Sequence, residues 1–194
     1  MCVCDIDGDN DPDVISASND DDKIAWYDNT GNGTFGSQHI ISLLSKGPAS
    51  IYCYDIDYDG DFDILSASED DSLICSYIND GAGNFSSPDT IDYPVKSASA
   101  IYAEDVNNDG YKDVIAASKY NGDIYWYENN GLGDMGSSNV LTDSIYEPTT
   151  IFSIELNNDS DYEIISGGSG SGIVLIFDQT GSGIINQIDV NCDA

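Results

Sequence analysis

Short apolar segments recur along the chain, and turns rich in glycine, asparagine and aspartate separate them. Residues 51–54, 64–68, 73–78 and 90–93, for example, have the sequences IYCY, ILSAS, LICSYI and TIDY. Segments this short, rich in β-branched and aromatic residues, are typical of β-strands. No window shows the 3.6-residue period of an amphipathic helix. The pattern therefore predicts an all-β protein built from units of four antiparallel strands.

These units repeat every 50 residues without an insertion or deletion. Equivalent positions carry the same kind of residue in three series, which are Asp5, Asp55, Asp105 and Glu155; Ile24, Ile74, Ile124 and Val174; and Tyr27, Tyr77, Tyr127 and Phe177. Four-stranded repeats of this length are typical of the blades of a β-propeller. We expect a β-propeller of four blades, at residues 1–50, 51–100, 101–150 and 151–194. No strand is evident that would close a ring, so a complete ring, part of a larger ring and an assembly of several chains all stay open.

Each repeat contains an acidic loop between its first two predicted strands. We name these the first loop (5–13), second loop (55–63), third loop (105–113) and fourth loop (155–163). Oxygen-bearing residues stand at loop positions 1, 3, 5, 7 and 9, and the candidate ligands are Asp5, Asp7, Asp9, Asp11 and Asp13; Asp55, Asp57, Asp59, Asp61 and Asp63; Asp105, Asn107, Asp109, Tyr111 and Asp113; and Glu155, Asn157, Asp159, Asp161 and Glu163.

Alternating carboxylates on a tight loop can converge on one point, and Ca²⁺ takes about six to eight oxygen ligands in flexible geometry. Position 7 would contribute its backbone carbonyl. Position 6 suits a positive φ, which Gly60, Gly110 and Asn10 tolerate and Ser160 tolerates less well. We expect three calcium sites and a weaker fourth, because the fourth loop carries Glu155 and Glu163 in place of the shorter aspartate.

Other metal sites fit these loops less well. An EF-hand needs flanking helices and a glutamate at position 12, but that position is occupied by Ser16, Ser66, Ala116 and Ser166. Zinc is disfavoured because the chain has one histidine and its cysteines lack a ligand pattern. Magnesium demands stricter geometry than calcium. Acidic turns without any ion remain an alternative, although converging carboxylates would repel one another.

The loop motif resembles the FG-GAP/VCBS repeats of integrin-α-type calcium-binding propellers. The likeness rests on the acidic loops, on the segments VISAS, ILSAS and VIAAS that follow them, and on residues 24–35, which match I-x-W-Y-x-N-x-G-x-G-x-F. It implies a propeller whose calcium loops join the first and second strands of each blade, in an extracellular or cell-surface protein of adhesive or carbohydrate-associated role. Members usually have about seven blades, so four is a departure.

Charge narrows the choice of partners. The chain has 36 acidic residues and 5 Lys+Arg, for a net charge of -31. Nucleic acid and anionic membrane surfaces are therefore poor partners, and we expect neither. No apolar run is long enough to span a membrane, so we expect no membrane insertion. We expect an extracellular structural, adhesion or assembly module that binds a protein or glycan, or itself. A carbohydrate-binding module or an accessory domain of a secreted polysaccharide-active enzyme is the alternative. No catalytic constellation is apparent, so we do not expect an enzyme.

Three further features carry weaker expectations. Trp26 and Trp126 recur with the repeat and are expected to pack between blades, with sugar stacking as the alternative. The sequons at Asn32 and Asn84 are possible N-glycosylation sites, whereas Asn158 lies inside an acidic loop. The five cysteines do not follow the repeat, and we consider a bond from Cys192 to Cys2 or Cys4.

Overall fold

β-Strands make up all of the regular secondary structure that the computed structural model describes, over residues 1–142, 145–170, 173–179 and 185–191. Sixteen strands in these ranges form four four-stranded sheets, and in each sheet the strands lie side by side in chain order. Every strand pairing with a described register is antiparallel. The expected all-β, propeller-like architecture is confirmed. No helix in the described part of the chain could cross a membrane.

The chain divides into two compact units, and the first is Met1–Ala98. Its first sheet consists of β1 (Cys2–Cys4), β2 (Asp13–Ser18), β3 (Lys23–Asn29) and β4 (Phe35–Ser42). Its second sheet consists of β5 (Pro48–Tyr54), β6 (Asp63–Ser68), β7 (Leu73–Tyr77) and β8 (Asp89–Asp92). One apolar core joins the two sheets and includes Ile15, Ile24 and Trp26 from the first and Ile51, Ile64 and Tyr77 from the second.

The second unit, Ser99–Ala194, repeats this plan. The third sheet, which begins at the boundary, consists of β9 (Ala98–Glu104), β10 (Asp113–Ser118), β11 (Ile124–Tyr127) and β12 (Asn139–Thr142). The fourth sheet consists of β13 (Pro148–Ile154), β14 (Glu163–Gly168), β15 (Ile173–Gln179) and β16 (Ile185–Asn191). The shared core includes Ile115, Ile124 and Tyr102 from the third sheet and Ile151, Ile164 and Phe177 from the fourth.

The second strands of the second and third sheets show why small residues occur in segments such as ILSAS and VIAAS. All six residues of β6 and of β10 are buried, so both faces of these strands are covered. Small residues such as Ala67 and Ala117 allow close packing on both sides, whereas a strand with one wet face would alternate apolar and polar residues. The strands expected at 51–54, 64–68, 73–78 and 90–93 are confirmed within three residues at each end.

Most aromatic residues that recur with the repeat are buried, as expected. Tyr77 and Phe177 lie in the two cores and Tyr127 is 1% exposed, whereas Tyr27 is half-buried. Trp26 is 5% exposed and its ring stacks on His39, with the ring centroids 4.5 Å apart. Trp26 is therefore not available as a sugar-stacking platform. Trp126 is partly buried against the core of the second unit.

Candidate metal centre

Each acidic loop connects the first strand of a sheet to the second, as the family resemblance implies. In the second loop, Tyr54 and Asp63 face each other across the strands and close the loop as a hairpin. The residues at loop position 6 have positive φ, with values of 71° for Asn10, 104° for Gly60, 92° for Gly110 and 78° for Ser160. The backbone turn expected at this position is confirmed, and Ser160 adopts it although a serine side chain disfavours it.

The aspartate at loop position 1 organises the turn by accepting hydrogen bonds from backbone amides. Asp5 Oδ1 accepts from the N–H of Gly8 at 2.9 Å, and its Oδ2 accepts from the N–H of Asn10 at 2.9 Å. Asp55 and Asp105 accept in the same way from Gly60 and Gly110 at 3.0 and 2.9 Å. These bonds hold the loop in a tight curve around the carboxylate at position 1, whereas the aspartate at position 5 is exposed in every loop.

The carboxylate at position 9 ties the loop to the end of the third strand. Asp63 is completely buried, and its two oxygens accept from the N–H groups of Ile56 at 2.9 Å and Asn79 at 2.8 Å. Asp13 and Asp113 make the equivalent pairs of bonds. Burial raises the pKa of Asp63 to about 7 and that of Asp113 to about 6. Position 9 therefore has a structural role whether or not a cation binds.

Carboxylates meet at one point in the first two loops. One oxygen from each of Asp5, Asp7 and Asp13 lies within 4.8 Å of the others, and Asp55, Asp57 and Asp63 form the equivalent group. Asp7 Oδ1 and Asp55 Oδ1 are buried without a hydrogen-bond partner. Burial and the neighbouring charge of Asp59 raise the pKa of Asp57. Unpaired, mutually repelling carboxylate oxygens are the donor set that a hard cation such as Ca²⁺ takes, so the residues present fit this ion.

The third and fourth loops bring different side chains together. In the fourth loop, the convergent carboxylates are Asp159, Glu163 and Asp178. In the third loop, no three carboxylates meet this closely among the described residues. There, the Nδ2 group of Asn107 donates to Asp109 at 3.1 Å and to Glu128 at 3.3 Å. The expectation that the third loop binds calcium more strongly than the fourth stays a prediction, and these groupings do not favour it.

Sequence reasoning missed a further acidic position outside the loops. Asp28 on β3 joins Asp7 and Asp9 in a second group of three carboxylates, and Asp178 on β15 belongs to the group of the fourth loop. The equivalent Glu128 accepts from Asn107. The signal was present in the sequence, since acids occupy this repeat position in three of the four blades and Ile78 occupies the other.

The side chains at loop position 7 lie apart from these carboxylate groups. Asp11 and Asp61 lie over the glycine turns at Gly31 and Gly81, so closely that a Cβ atom there would collide with the carboxylates. Tyr111 covers Gly131 in the same way. Asp161 instead accepts from Asn108 Nδ2 at 3.0 Å. This placement leaves the backbone carbonyl as the group that position 7 can offer to a cation.

The remaining candidates are the two sequons and the five cysteines. Asn32 and Asn84 are exposed in the glycine-rich turns, where their modification stays a prediction. Cys2, Cys4, Cys53 and Cys75 are free thiols. Cys192 lies outside the described residues, so its suggested bond to Cys2 or Cys4 stays a hypothesis.

Comparison with known proteins identifies the repeat. The family model of the FG-GAP-like repeat matches residues 5–66, 55–116 and 105–166, which together span all four acidic loops. No curated protein matches the chain. Among solved structures, a lectin from Agrocybe aegerita, described as recognising non-reducing terminal N-acetylglucosamine, is 19% identical with a TM-score of 0.70. The Tc holotoxin pore of Photorhabdus luminescens is 14% identical with a TM-score of 0.54.

These two structures are much longer than the region they share with the chain. The matches cover 98% of the chain but 51% of the lectin, and 97% of the chain but 9% of the toxin component. At these identities the likeness concerns the fold alone.

Proposed function

This chain belongs to the FG-GAP-like repeat family, and from that premise we propose that it is a calcium-stabilised β-propeller module of four blades, acting outside the cell in adhesion or assembly. FG-GAP repeats are typical of extracellular proteins and often bind calcium. One observation supports the proposal most directly. Carboxylate oxygens of Asp55, Asp57 and Asp63 converge, and Asp55 Oδ1 is buried without a hydrogen-bond partner.

Calcium has a structural role in this proposal. Asp55 and Asp57 hold the ion with the backbone carbonyl of Asp61, while Asp63 also keeps its bonds to Ile56 and Asn79. The ion supplies positive charge at a point where carboxylates otherwise repel one another, and it fixes the connection between β5 and β6. Extracellular modules of this kind bind with Kd of about 10⁻⁴–10⁻³ M, which suits extracellular calcium.

The same description applies to the other loops with local changes. Asp28 adds a ligand from the third strand in the first blade, and Asp178 does so in the fourth. Asn107 and Asn157 offer amide oxygens in place of carboxylates. We propose no catalytic activity for the chain. Its partner is a protein, a glycan or a further copy of itself.

Calcium stoichiometry by native mass spectrometry tests this proposal. We expect three or four bound ions at millimolar calcium, and Asp57→Ala should remove one of them because a ligand side chain is lost. Asp89→Ala is a matched control, because Asp89 is an exposed aspartate of the same sheet outside any acidic loop. The proposal is wrong if no calcium binds, or if both variants reduce the count equally.

Carbohydrate binding is the second candidate, as a free-standing module or as an accessory domain of a secreted polysaccharide-active enzyme. An open pocket of about 370 Å³ in the second unit is lined by side chains that include Tyr111, Glu128, Asn129 and Asn130. An aromatic ring beside carboxylate and amide groups is chemistry that suits a sugar. The lectin with a similar fold is described as binding a terminal sugar.

A glycan array tests this second candidate. Tyr111→Ala should abolish binding of any retained glycan, while Tyr120→Ala, which changes an exposed tyrosine of the same unit outside the pocket, should not. A complete absence of glycan binding, with calcium present, would exclude this candidate and leave the structural role intact.

A further inference from the structure

Three cysteines from two different sheets meet in the first unit. Cys2 and Cys4 lie on β1 with Val3 between them. Val3 is 59% exposed, so the two cysteines face the opposite side of the strand, towards the core shared with the second sheet. Cys53 lies on β5, and its Sγ donates to the backbone carbonyl oxygen of Val3 at 3.6 Å. The side chains of Cys2, Cys4 and Cys53 all belong to the same core cluster.

The grouping is more consistent with sulfur–sulfur chemistry than with metal binding. Among the described residues, every group of three ligand atoms within 4.8 Å of one another consists of carboxylates, so these three sulfur atoms do not form such a group. Cys53 instead reaches the part of β1 that lies between Cys2 and Cys4, because its Sγ is 3.6 Å from the carbonyl oxygen of Val3. A disulfide needs only two sulfur atoms, so a bond from Cys53 to one of these neighbours suits the arrangement better than a shared metal ion.

We propose that Cys53 is an oxidation site that forms a disulfide with Cys2 or Cys4. The bond joins β1 to β5, two strands that contact each other without belonging to one sheet. It therefore adds a covalent crosslink between the first and second sheets, which are otherwise joined by side-chain packing and by hydrogen bonds such as that from Asn79 Nδ2 to the Ile6 carbonyl oxygen. The proposal does not depend on calcium or on the proposed function.

The chemistry is a two-step exchange with a disulfide oxidant such as glutathione disulfide. The Cys53 thiolate attacks one oxidant sulfur, the oxidant S–S bond breaks, and one glutathione thiolate leaves. The thiolate of Cys2 or Cys4 then attacks the Cys53 sulfur of the mixed disulfide, and the second glutathione thiolate leaves. The two protons released by the protein thiols end on the two glutathione molecules. The protein pair is oxidised by two electrons and the oxidant is reduced by two.

Exposure orders the steps of this exchange. Cys53 is half-buried, whereas Cys4 is 7% exposed, so Cys53 is the thiol that attacks a small oxidant first. Cys75, in the same core, is 1% exposed and burial raises its pKa to about 11, so it stays inert.

The test uses the full chain carrying Cys192→Ser, treated with glutathione disulfide, quenched with an alkylating reagent and digested without reduction. We expect mass spectrometry to find peptides that link Cys53 to Cys2 or Cys4, and the melting temperature to rise by about 10 °C and return on reduction. Cys53→Ser should remove both the link and the redox-dependent shift. Cys75→Ser, the matched control, should leave both unchanged.

Three outcomes overturn the proposal. They are the recovery of Cys53 as an alkylated free thiol after oxidation, a link formed between Cys2 and Cys4 alone, and an oxidation-dependent shift that persists in Cys53→Ser. The first outcome is measured on the protein that keeps Cys2, Cys4 and Cys53. The test is therefore informative even if Cys53→Ser folds poorly.

Discussion

The second and fourth loops share a backbone plan but bring different carboxylates together. In the second loop, both oxygens of Asp63 accept from backbone amides, and Asp55, Asp57 and Asp63 converge. In the fourth loop, Glu163 accepts from the N–H of Leu156 at 2.6 Å and from Asn157 Nδ2 at 3.3 Å. The group that converges there is Asp159, Glu163 and Asp178.

Side-chain length and one amide account for this difference. Glu163 at position 9 still accepts from the backbone amide at position 2, but its second oxygen accepts from the Asn157 side chain. The same Nδ2 group donates to Asp178 at 3.1 Å. Because the Asn157 amide donates hydrogen bonds to two carboxylates, it stabilises their negative charge, and a cation is expected to bind there less tightly. A repeat can therefore keep the fold of its loop while its affinity for metal changes.

Calcium removal is expected to have the largest effect. Each site with a Kd near 10⁻⁴ M contributes about 1–3 kcal/mol at millimolar calcium, because the ion binds only the folded state. An excess of chelator should lower the melting temperature by about 10 °C, measured by differential scanning fluorimetry. Magnesium should not restore it. An unchanged melting temperature would show that calcium does not stabilise the fold, and the loops could then not be compared as metal sites.

Asp63→Ala tests whether the carboxylate at position 9 stabilises the loop without calcium. It should cost about 3 kcal/mol of unfolding free energy in chelator, because the buried N–H groups of Ile56 and Asn79 lose their acceptor. Asp59→Ala, in the same loop, gives up one exposed bond and should cost less than about 1 kcal/mol under these conditions. Urea unfolding in chelator measures both losses of stability. If Asp63→Ala and Asp59→Ala lose the same unfolding free energy, position 9 contributes to stability only through calcium.

Asp57→Ala and Asn157→Ala compare the same loop position. Asp57→Ala should remove about 2 kcal/mol of calcium-dependent stabilisation, since a carboxylate ligand is lost. Asn157→Ala should remove less than about 1 kcal/mol, because Asn157 already bonds to Glu163 and Asp178. The difference between melting temperatures with and without calcium, measured for each variant, gives its calcium-dependent loss of stability. A larger loss from Asn157→Ala would reverse the proposed order of affinities.

Asp178→Asn tests whether a strand residue completes the fourth loop. It keeps the size of the side chain but removes one of three convergent carboxylates, so calcium affinity at this loop should fall about tenfold, or about 1.4 kcal/mol. Calorimetric titration measures the change, while stability in chelator should stay the same or rise. Unchanged calcium binding would confine the ligands to residues 155–163.

Ser160→Gly is expected to have the smallest effect. Ser160 has a φ of 78°, where Gly60 at the equivalent position has 104°. Glycine adopts positive φ without the steric cost that a Cβ atom brings, so the variant should gain about 0.5–1 kcal/mol in urea unfolding. The reverse change, Gly60→Ser, should lose a similar amount. If both Ser160→Gly and Gly60→Ser lower the unfolding free energy, the two turns differ in more than the residue at position 6.

The sequence by itself determined the repeat, the strands and the position of the acidic loops. These features depend on local patterns: apolar segments of strand length, glycine at turns, and aspartate at alternating loop positions. The strands near 51–54 and 64–68 and the positive φ at Gly60 and Gly110 could be predicted because neighbouring residues along the chain decide them.

Only the tertiary structure decided which side chains meet. Asp28 and Asp178 reach the loops from a third strand, and Cys53 reaches the part of β1 between Cys2 and Cys4 from a neighbouring sheet. The burial of Trp26, which excludes it as a sugar platform, also depends on the second sheet. These contacts join residues far apart in the chain, so they depend on how strands and sheets pack, and the local pattern of hydrophobic and polar residues does not contain that information.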